Sequence, residues 1–140
     1  MPAETLLRLQ NDFSELPATA EKVAEFLESH GTPPDMVFAA DLAIEELVTN
    51  IIKYGYDDSD PHEILVRLSL SDGDLVIQIE DDGHEFNPFD QPTPDIHAPL
   101  EEREIGGLGI HFVKNLLDTC EYQRTGDRNI VTLTKKPKAE

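Results

Sequence analysis

The sequence predicts an α+β fold, a two-layer sandwich in which a mixed, mainly antiparallel sheet carries helices on one face. Helical patterns come early, a hairpin signal lies in the middle, and alternating segments close the chain. The hairpin signal is Asp72-Gly73, a pair that favours a two-residue turn between strands. The length of 140 residues fits a single domain over residues 1–140.

Each element follows from the spacing of apolar residues. Apolar positions at i, i+3, i+4 and i+7 predict helices, and strict alternation predicts half-buried strands. Pro33 and Pro34 open the second helix, because proline is tolerated in a first turn. The predicted strands cover residues 4–10, 62–70, 75–81, 121–124 and 130–135, and the predicted helices cover residues 16–30, 34–54 and 108–117. Residues 87–105 lack such a pattern and contain four prolines, so we expect a loop there that is either functional or disordered.

Composition and charge exclude several classes of function. The formal net charge of −18 disfavours nucleic acid as a partner, because phosphate contacts need a basic patch. The single cysteine, Cys120, excludes an internal disulfide. No secretion signal and no run of roughly 18 apolar residues is present, so we expect a cytoplasmic protein without a membrane span. An anionic ligand would need local backbone N–H groups and a divalent cation.

The second helix carries two polar residues on a side that its pattern otherwise suits to burial. At about 100° per residue, Glu46 and Asn50 share this side with Ala39, Leu42 and Ala43. One interpretation is a surface carboxylate and an amide that helps to end the helix. The other is a carboxylate for proton handling and an amide oxygen for a hard cation.

A strand ends in an aspartate that points toward the core. Asp81 continues the inward parity of Ile77 and Ile79, so it places a carboxylate at the buried end of the strand. A buried carboxylate needs hydrogen-bond donors, and the exocyclic amine of a base is one candidate. Gly83 would let a flat ring approach the backbone. The alternative is an ordinary Asp-Asp-Gly turn.

A glycine cluster opens the last helix. Gly106, Gly107 and Gly109 surround Leu108, directly before the apolar helical pattern. Glycines at a helix start expose N–H groups and suit the close approach of a phosphate. The cluster is not a P-loop, because no Lys-Ser or Lys-Thr follows it, and it is not a dinucleotide fingerprint, because no strand precedes it. A flexible hinge is the alternative.

The three segments, in this order, resemble the N, G1 and G2 boxes of the GHKL superfamily of histidine-kinase-like ATP-binding domains. The matching segments are Glu46-Leu47-Val48-Thr49-Asn50, Asp81-Asp82-Gly83 and Gly106-Gly107-Leu108-Gly109-Ile110. The resemblance covers residues 4–136. The runs Asn50–Tyr56, Gly83–Asn87 and Asn129–Lys135 are similar to those of the stand-alone anti-sigma-factor serine/threonine protein kinases of that superfamily. This resemblance implies the Bergerat type of ATP-binding sandwich.

The resemblance implies a role for each matched residue. Glu46 corresponds to the general base, Asn50 to the Mg2+ ligand, and Asp81 to the acceptor for the adenine amino group. The remaining implied nucleotide contacts are Gly83 beside the adenine, then Gly106, Gly107, Leu108 and Gly109 at the lid hinge and the phosphates. In the family, a lid arginine stands directly beside the glycine box. Here Ile105 occupies that place, and Arg103, two residues earlier, is the candidate for the contact.

The implied function is Mg-ATP-dependent phosphoryl transfer to a serine or threonine of a partner protein. The implied partner is an anti-anti-sigma protein with a STAS domain, with a sigma factor as the alternative client. Catalysis in this class consists mostly of positioning and charge neutralisation. A nucleotide-gated binding module without phosphoryl transfer is the alternative function, and a detached histidine kinase core is disfavoured. The subgroup also suggests a homodimer.

Overall fold

A computed structural model of the chain describes residues 2–90 and 107–137, and it confirms the predicted α+β sandwich. The elements are β1 (Ala3–Gln10), α1 (Leu16–Ser29), α2 (Pro34–Tyr54), β2 (Glu63–Ser71), β3 (Asp74–Asp81), α3 (Gly107–Leu116), β4 (Thr119–Thr125) and β5 (Arg128–Lys135). Short 3-10 turns cover Phe13–Glu15 and Pro88–Asp90. Most of the predicted loop, including Arg103, lies outside the described residues, as does Gly106.

The five described strands form one sheet in the order β1-β2-β3-β5-β4. All four pairings are antiparallel, so the part of the sheet that the structure describes contains no parallel pair. The Asp72-Gly73 turn joins β2 to β3 as predicted, with φ values of 54° and 86°. Positive φ at both central residues gives the turn the twist of the strands that it connects.

The core lies between the sheet and the helices. Inward side chains of β2, β3 and β5, including Val66, Ile77 and Leu133, are fully buried against the helical layer. Helix α2 packs against both α1 and α3 as well as the sheet. Ala39 and Ala43 are therefore buried like Ile44 on the opposite side of the helix. This arrangement explains why the polar pair on α2 does not face open solvent.

No helix among the described residues has both the length and the apolar character needed to cross a membrane.

Candidate nucleotide-binding site

The structure places Asp81 at the buried end of β3, as the strand alternation predicts. The side chain is only 4% exposed. The backbone N–H of Gly83 donates to Asp81 Oδ1 over 2.8 Å, and Asn129 Nδ2 donates to the same oxygen over 3.0 Å. Both of these hydrogen bonds end on Oδ1, which orients the carboxylate while it lines a pocket.

Gly83 lies where the backbone of a neighbouring loop leaves no room for a side chain. A Cβ added there would be 2.5 Å from the carbonyl oxygen of Gly55 and 3.0 Å from Asp81 Oδ1. The same Gly55 oxygen accepts a hydrogen bond from the N–H of His84 over 2.9 Å. The loop after α2 is thus held against the turn after β3, and glycine is required at the point of contact.

Sequence reasoning did not assign Asn129 to the site, although it lies at the centre of the polar network. It pairs with Asp81 across β3 and β5 and is 5% exposed. Its Nδ2 also donates to the carbonyl oxygen of His84 over 2.7 Å. The parity of β5 carries a signal for it, because Asn129 shares the inward side with Val131 and Leu133. A polar residue on an inward parity is the same signal that identified Asp81.

The helical side of the site brings Glu46 against the start of α3. A Cβ added to Gly109 would overlap the Glu46 carboxylate. Gly109 lies in the first turn of α3, where backbone N–H groups have no partner within the helix. The structure therefore joins one residue of the predicted N box to one residue of the predicted G2 box, across two helices that pack together.

Asn50 lies one turn after Glu46 and is 9% exposed. It lines the same pocket as Asp81 and Asn129, and the empty volume of this pocket is about 420 Å³. Leu47, Ile51 and Val131 supply apolar walls. One concave site thus carries an acceptor at its sheet end, apolar sides, and an amide on its helical side, which is a combination typical of small-molecule sites.

Two predicted site residues besides Gly109 belong to the described backbone of the last helix. Gly107 is its first residue and Leu108 is its second. The helix start therefore falls inside the glycine cluster, as predicted.

Burial raises the pKa of both carboxylates of the site. For Asp81 the hydrogen bonds from Asn129 and Gly83 oppose this effect, while the nearby Asp82 adds to it. For Glu46 the rise of the pKa comes from burial and from the charge of Glu45, and Lys53 opposes it. Both carboxylates are thus made more basic by burial, and only at Asp81 do hydrogen-bond donors oppose that effect.

The metal ligands that the site offers suit a cation that binds together with phosphate groups. Among residues 2–90 and 107–137, no group of three or more His, Cys, Asp or Glu side chains could hold a metal ion. The amide oxygen of Asn50 is a hard ligand, and Mg2+ in nucleotide sites takes most of its other ligands from phosphate and water. The residues present fit Mg2+ that is bound together with a nucleotide.

Comparison with known proteins agrees with the resemblance found in the sequence. The profile of the histidine kinase-like ATPase domain matches residues 9–135. The serine-protein kinase RsbW of Bacillus mycoides is 32% identical over 132 residues, which cover 86% of this chain and 81% of the relative. The serine/threonine-protein kinase BtrW of Bordetella bronchiseptica is 25% identical over 97 residues, covering 69% of this chain and 68% of the relative. The anti-sigma F factor of Clostridium perfringens is 23% identical over 94 residues, covering 67% of each chain.

A solved structure has the same fold. The crystal structure of the RsbU and RsbW domains of a Mycobacterium tuberculosis protein matches with a TM-score of 0.69 and 17% identity. The match covers 96% of this chain and 32% of that longer chain. At this identity the likeness concerns the fold alone.

Proposed function

This chain belongs to the histidine kinase-like ATPase domain family, and we propose that it is an ATP-dependent serine/threonine protein kinase and anti-sigma regulatory factor. Its relatives include proteins named serine-protein kinase RsbW and anti-sigma F factor. The RsbW relative of Bacillus mycoides shares 32% identity over most of both chains, which supports transfer of the kinase function.

The sheet end of the pocket is the place for the adenine. Asp81 accepts a hydrogen bond from the exocyclic amino group of the base. Gly83, which has no Cβ, lets the loop after α2 pack against the turn beside Asp81, and this holds the sheet end of the pocket in place. Leu47, Ile51 and Val131 offer apolar surface to the ring. A site built to pair with an amino group rejects a base that lacks it, because its buried polar group would then lose its partner.

The helical side of the site receives the triphosphate. The first turn of α3 presents backbone N–H groups that have no partner within the helix, and these attract anions together with the positive end of the helix dipole. Asn50 would hold a Mg2+ ion through its amide oxygen. When bound, the ion neutralises phosphate charge and helps the phosphoryl group to depart. This local arrangement explains how a chain of net charge −18 binds a polyanion.

Glu46 acts as the general base. Its carboxylate lies at the start of α3, where the phosphates are held, and not at the adenine end of the pocket. Burial raises its pKa, so it is a better proton acceptor than an exposed glutamate. Glu46 removes the proton from the hydroxyl group of the acceptor serine or threonine as that oxygen attacks the γ-phosphate.

The client is an anti-anti-sigma protein, and we assign it to the STAS class, with a sigma factor as a second client. The acidic surface of the chain makes nucleic acid a poor partner. A homodimer, a cytoplasmic location and a single domain over residues 1–140 stay predictions of the sequence.

One observation carries the proposal. Glu46, Gly109 and Asp81 belong to segments far apart in the chain, yet Glu46 contacts Gly109, and Asn50, one turn along α2, lines the same pocket as Asp81. A carboxylate beside a helix start therefore lies one turn along α2 from an amide that lines a pocket with a buried aspartate, and this arrangement supports phosphoryl transfer from ATP.

The test is to incubate the protein with γ-labelled ATP and the STAS-domain proteins of the same organism, with Mg2+ or with a chelator. Label on a serine or threonine of one STAS protein, lost with the chelator, is the expected result. Complex formation that depends on ATP but transfers no label would instead establish a nucleotide-gated binding module. Failure to bind ATP at all would overturn both functions.

A further inference from the structure

A chain of hydrogen bonds links the edge strand β4 to the carboxylate that the proposed function assigns to adenine. Tyr122 on β4 donates its hydroxyl proton to Asn129 Oδ1 over 2.6 Å. Arg124 on the same strand donates to Asn129 Oδ1 over 3.2 Å and to the carbonyl oxygen of Gly83 over 2.9 Å. Asn129 Nδ2 then donates to Asp81 Oδ1. Tyr122 does not itself line the pocket.

The partners of Asn129 permit only one orientation of its amide. Its nitrogen faces three acceptors, which are the Asp81 carboxylate and the carbonyl oxygens of Gly83 and His84. Its oxygen faces three donors, which are the side chains of Tyr122 and Arg124 and the backbone N–H of Phe86. A flipped amide would place its NH2 group against the guanidinium and its oxygen against a carboxylate, which are both repulsive arrangements. The two residues of β4 therefore act together with the backbone of the loop after β3 to fix which end of the amide meets Asp81.

We propose that Tyr122 and Asn129 are positioning residues that give this site its selectivity for adenine, acting through Asp81. This inference rests on the proposed function, which supplies the adenine. Asn129 Nδ2 and the Gly83 N–H both donate to Asp81 Oδ1. These two hydrogen bonds fix the carboxylate and leave its other oxygen to accept a hydrogen bond from the ligand. Tyr122 and Arg124 donate to the oxygen of the Asn129 amide and so help to hold this amide in place. Base recognition thus depends on a strand outside the pocket.

The geometry of the sheet supports this assignment. Asn129 pairs with Asp81 on one neighbouring strand and with Arg124 on the other, so the three residues lie in one row across β3, β5 and β4. Side chains in such a row contact each other directly. Asn129 and Asp81 are almost fully buried, where a hydrogen bond is stronger than it is in water.

The experiment compares the dissociation constants of ATP and inosine triphosphate, which lacks the 6-amino group, in wild type, Tyr122→Phe and Asn129→Ala. Tyr122→Phe removes one hydroxyl group and keeps the ring. We expect it to lower the preference for ATP over inosine triphosphate roughly two- to tenfold, the range for one lost hydrogen bond. Asn129→Ala should lower the preference further. In both variants the affinity for inosine triphosphate should stay close to that of wild type. Gln123→Ala, an exposed neighbour on β4, is the matched control and should change neither constant.

The outcomes separate the two proposals. If wild type does not prefer ATP, the role of Asp81 in the proposed function is wrong. If wild type prefers ATP and Tyr122→Phe keeps the full preference, the positioning role is wrong while the adenine site stands. Equal loss of affinity for both nucleotides would show a merely structural role and would also overturn the inference. Should Asn129→Ala fail to fold, the half-buried Tyr122→Phe variant decides alone.

Discussion

The two ends of the candidate site are built by different means. At the sheet end, Asp81 and Asn129 are fixed by hydrogen bonds to each other and to the backbone. At the helical end, the position of Glu46 follows from the packing of α2 against α3. Recognition of the base therefore relies on a preformed polar network, whereas the position of the proton acceptor relies on the packing of two helices.

The glycines of the two ends differ in the same way. The space beside Gly83 is limited by the backbone of Gly55, which cannot move without moving the loop after α2. The space beside Gly109 is limited by the side chain of Glu46, which can rotate. A larger residue should therefore damage the fold at the sheet end and only the chemistry at the helical end.

The largest effect is expected for Glu46→Gln, which keeps the shape of the side chain but cannot accept a proton. Phosphoryl transfer should fall by about 10²–10⁴, the range for a lost general base, while the affinity for ATP stays nearly unchanged. Single-turnover transfer of label and calorimetry would measure the two quantities.

Glu45→Gln is the control for that experiment. Glu45 is exposed and lies on a different side of α2, so its replacement should leave transfer intact. A harmful Glu45→Gln together with a harmless Glu46→Gln would show that the assignment of the base is wrong.

Gly83→Ala should lower the free energy of unfolding by about 1–3 kcal/mol, because the added methyl group meets a backbone carbonyl oxygen. Gly109→Ala is the counterpart at the helical end. Alanine at this position gains up to about 1 kcal/mol of helix propensity, and its methyl group displaces the Glu46 side chain. We therefore expect the stability of the variant to hold and its phosphoryl transfer to fall. Denaturant unfolding of both variants checks this, and equal destabilisation would remove the distinction between the two ends.

Asn50→Ala should weaken Mg-ATP binding about tenfold, close to 1.4 kcal/mol, because the cation loses its protein ligand. Without Mg2+ the wild type and the variant should bind ATP alike. Calorimetry with and without the metal makes the comparison, and an equal loss in both conditions would assign Asn50 to packing and not to the cation.

The smallest effect concerns the stability of the nucleotide-free protein. The pKa of Asp81 is raised in the folded chain, mainly by burial, so its stabilising contribution is complete below the ordinary aspartate pKa of about 4 and is lost as the pH rises through the folded value. Asp81→Asn has no charge to bury, and its amide oxygen can still accept from Gly83 and Asn129. The variant should therefore gain stability relative to wild type between about pH 4 and pH 7, although it loses ATP selectivity.

Thermal unfolding of wild type and Asp81→Asn across this pH range, without nucleotide, tests the sign. A stability difference that shrinks as the pH rises would mean that the network around Asp81 favours the charged form of the carboxylate.

Local patterns predicted most of the fold because they reflect local physics. Alternation in the strands, helical spacing and the Asp72-Gly73 turn placed each described helix and strand within two residues of its observed ends. The inward parity of Asp81 was visible in the same way. Asn129 carried an equal signal on β5 and was missed, because the predicted strand began at residue 130 and left Asn129 outside its alternation.

By itself, the sequence determined the elements, the family and the residues that carry polar chemistry on buried faces. Only the tertiary structure decided which of these residues meet. The pairing of Asp81 with Asn129 depends on the order of strands in the sheet, and the contact of Glu46 with Gly109 depends on the packing of two helices far apart in the chain. Periodicity records which side of an element avoids water. It does not record which other element covers that side, because many apolar surfaces would exclude water equally well.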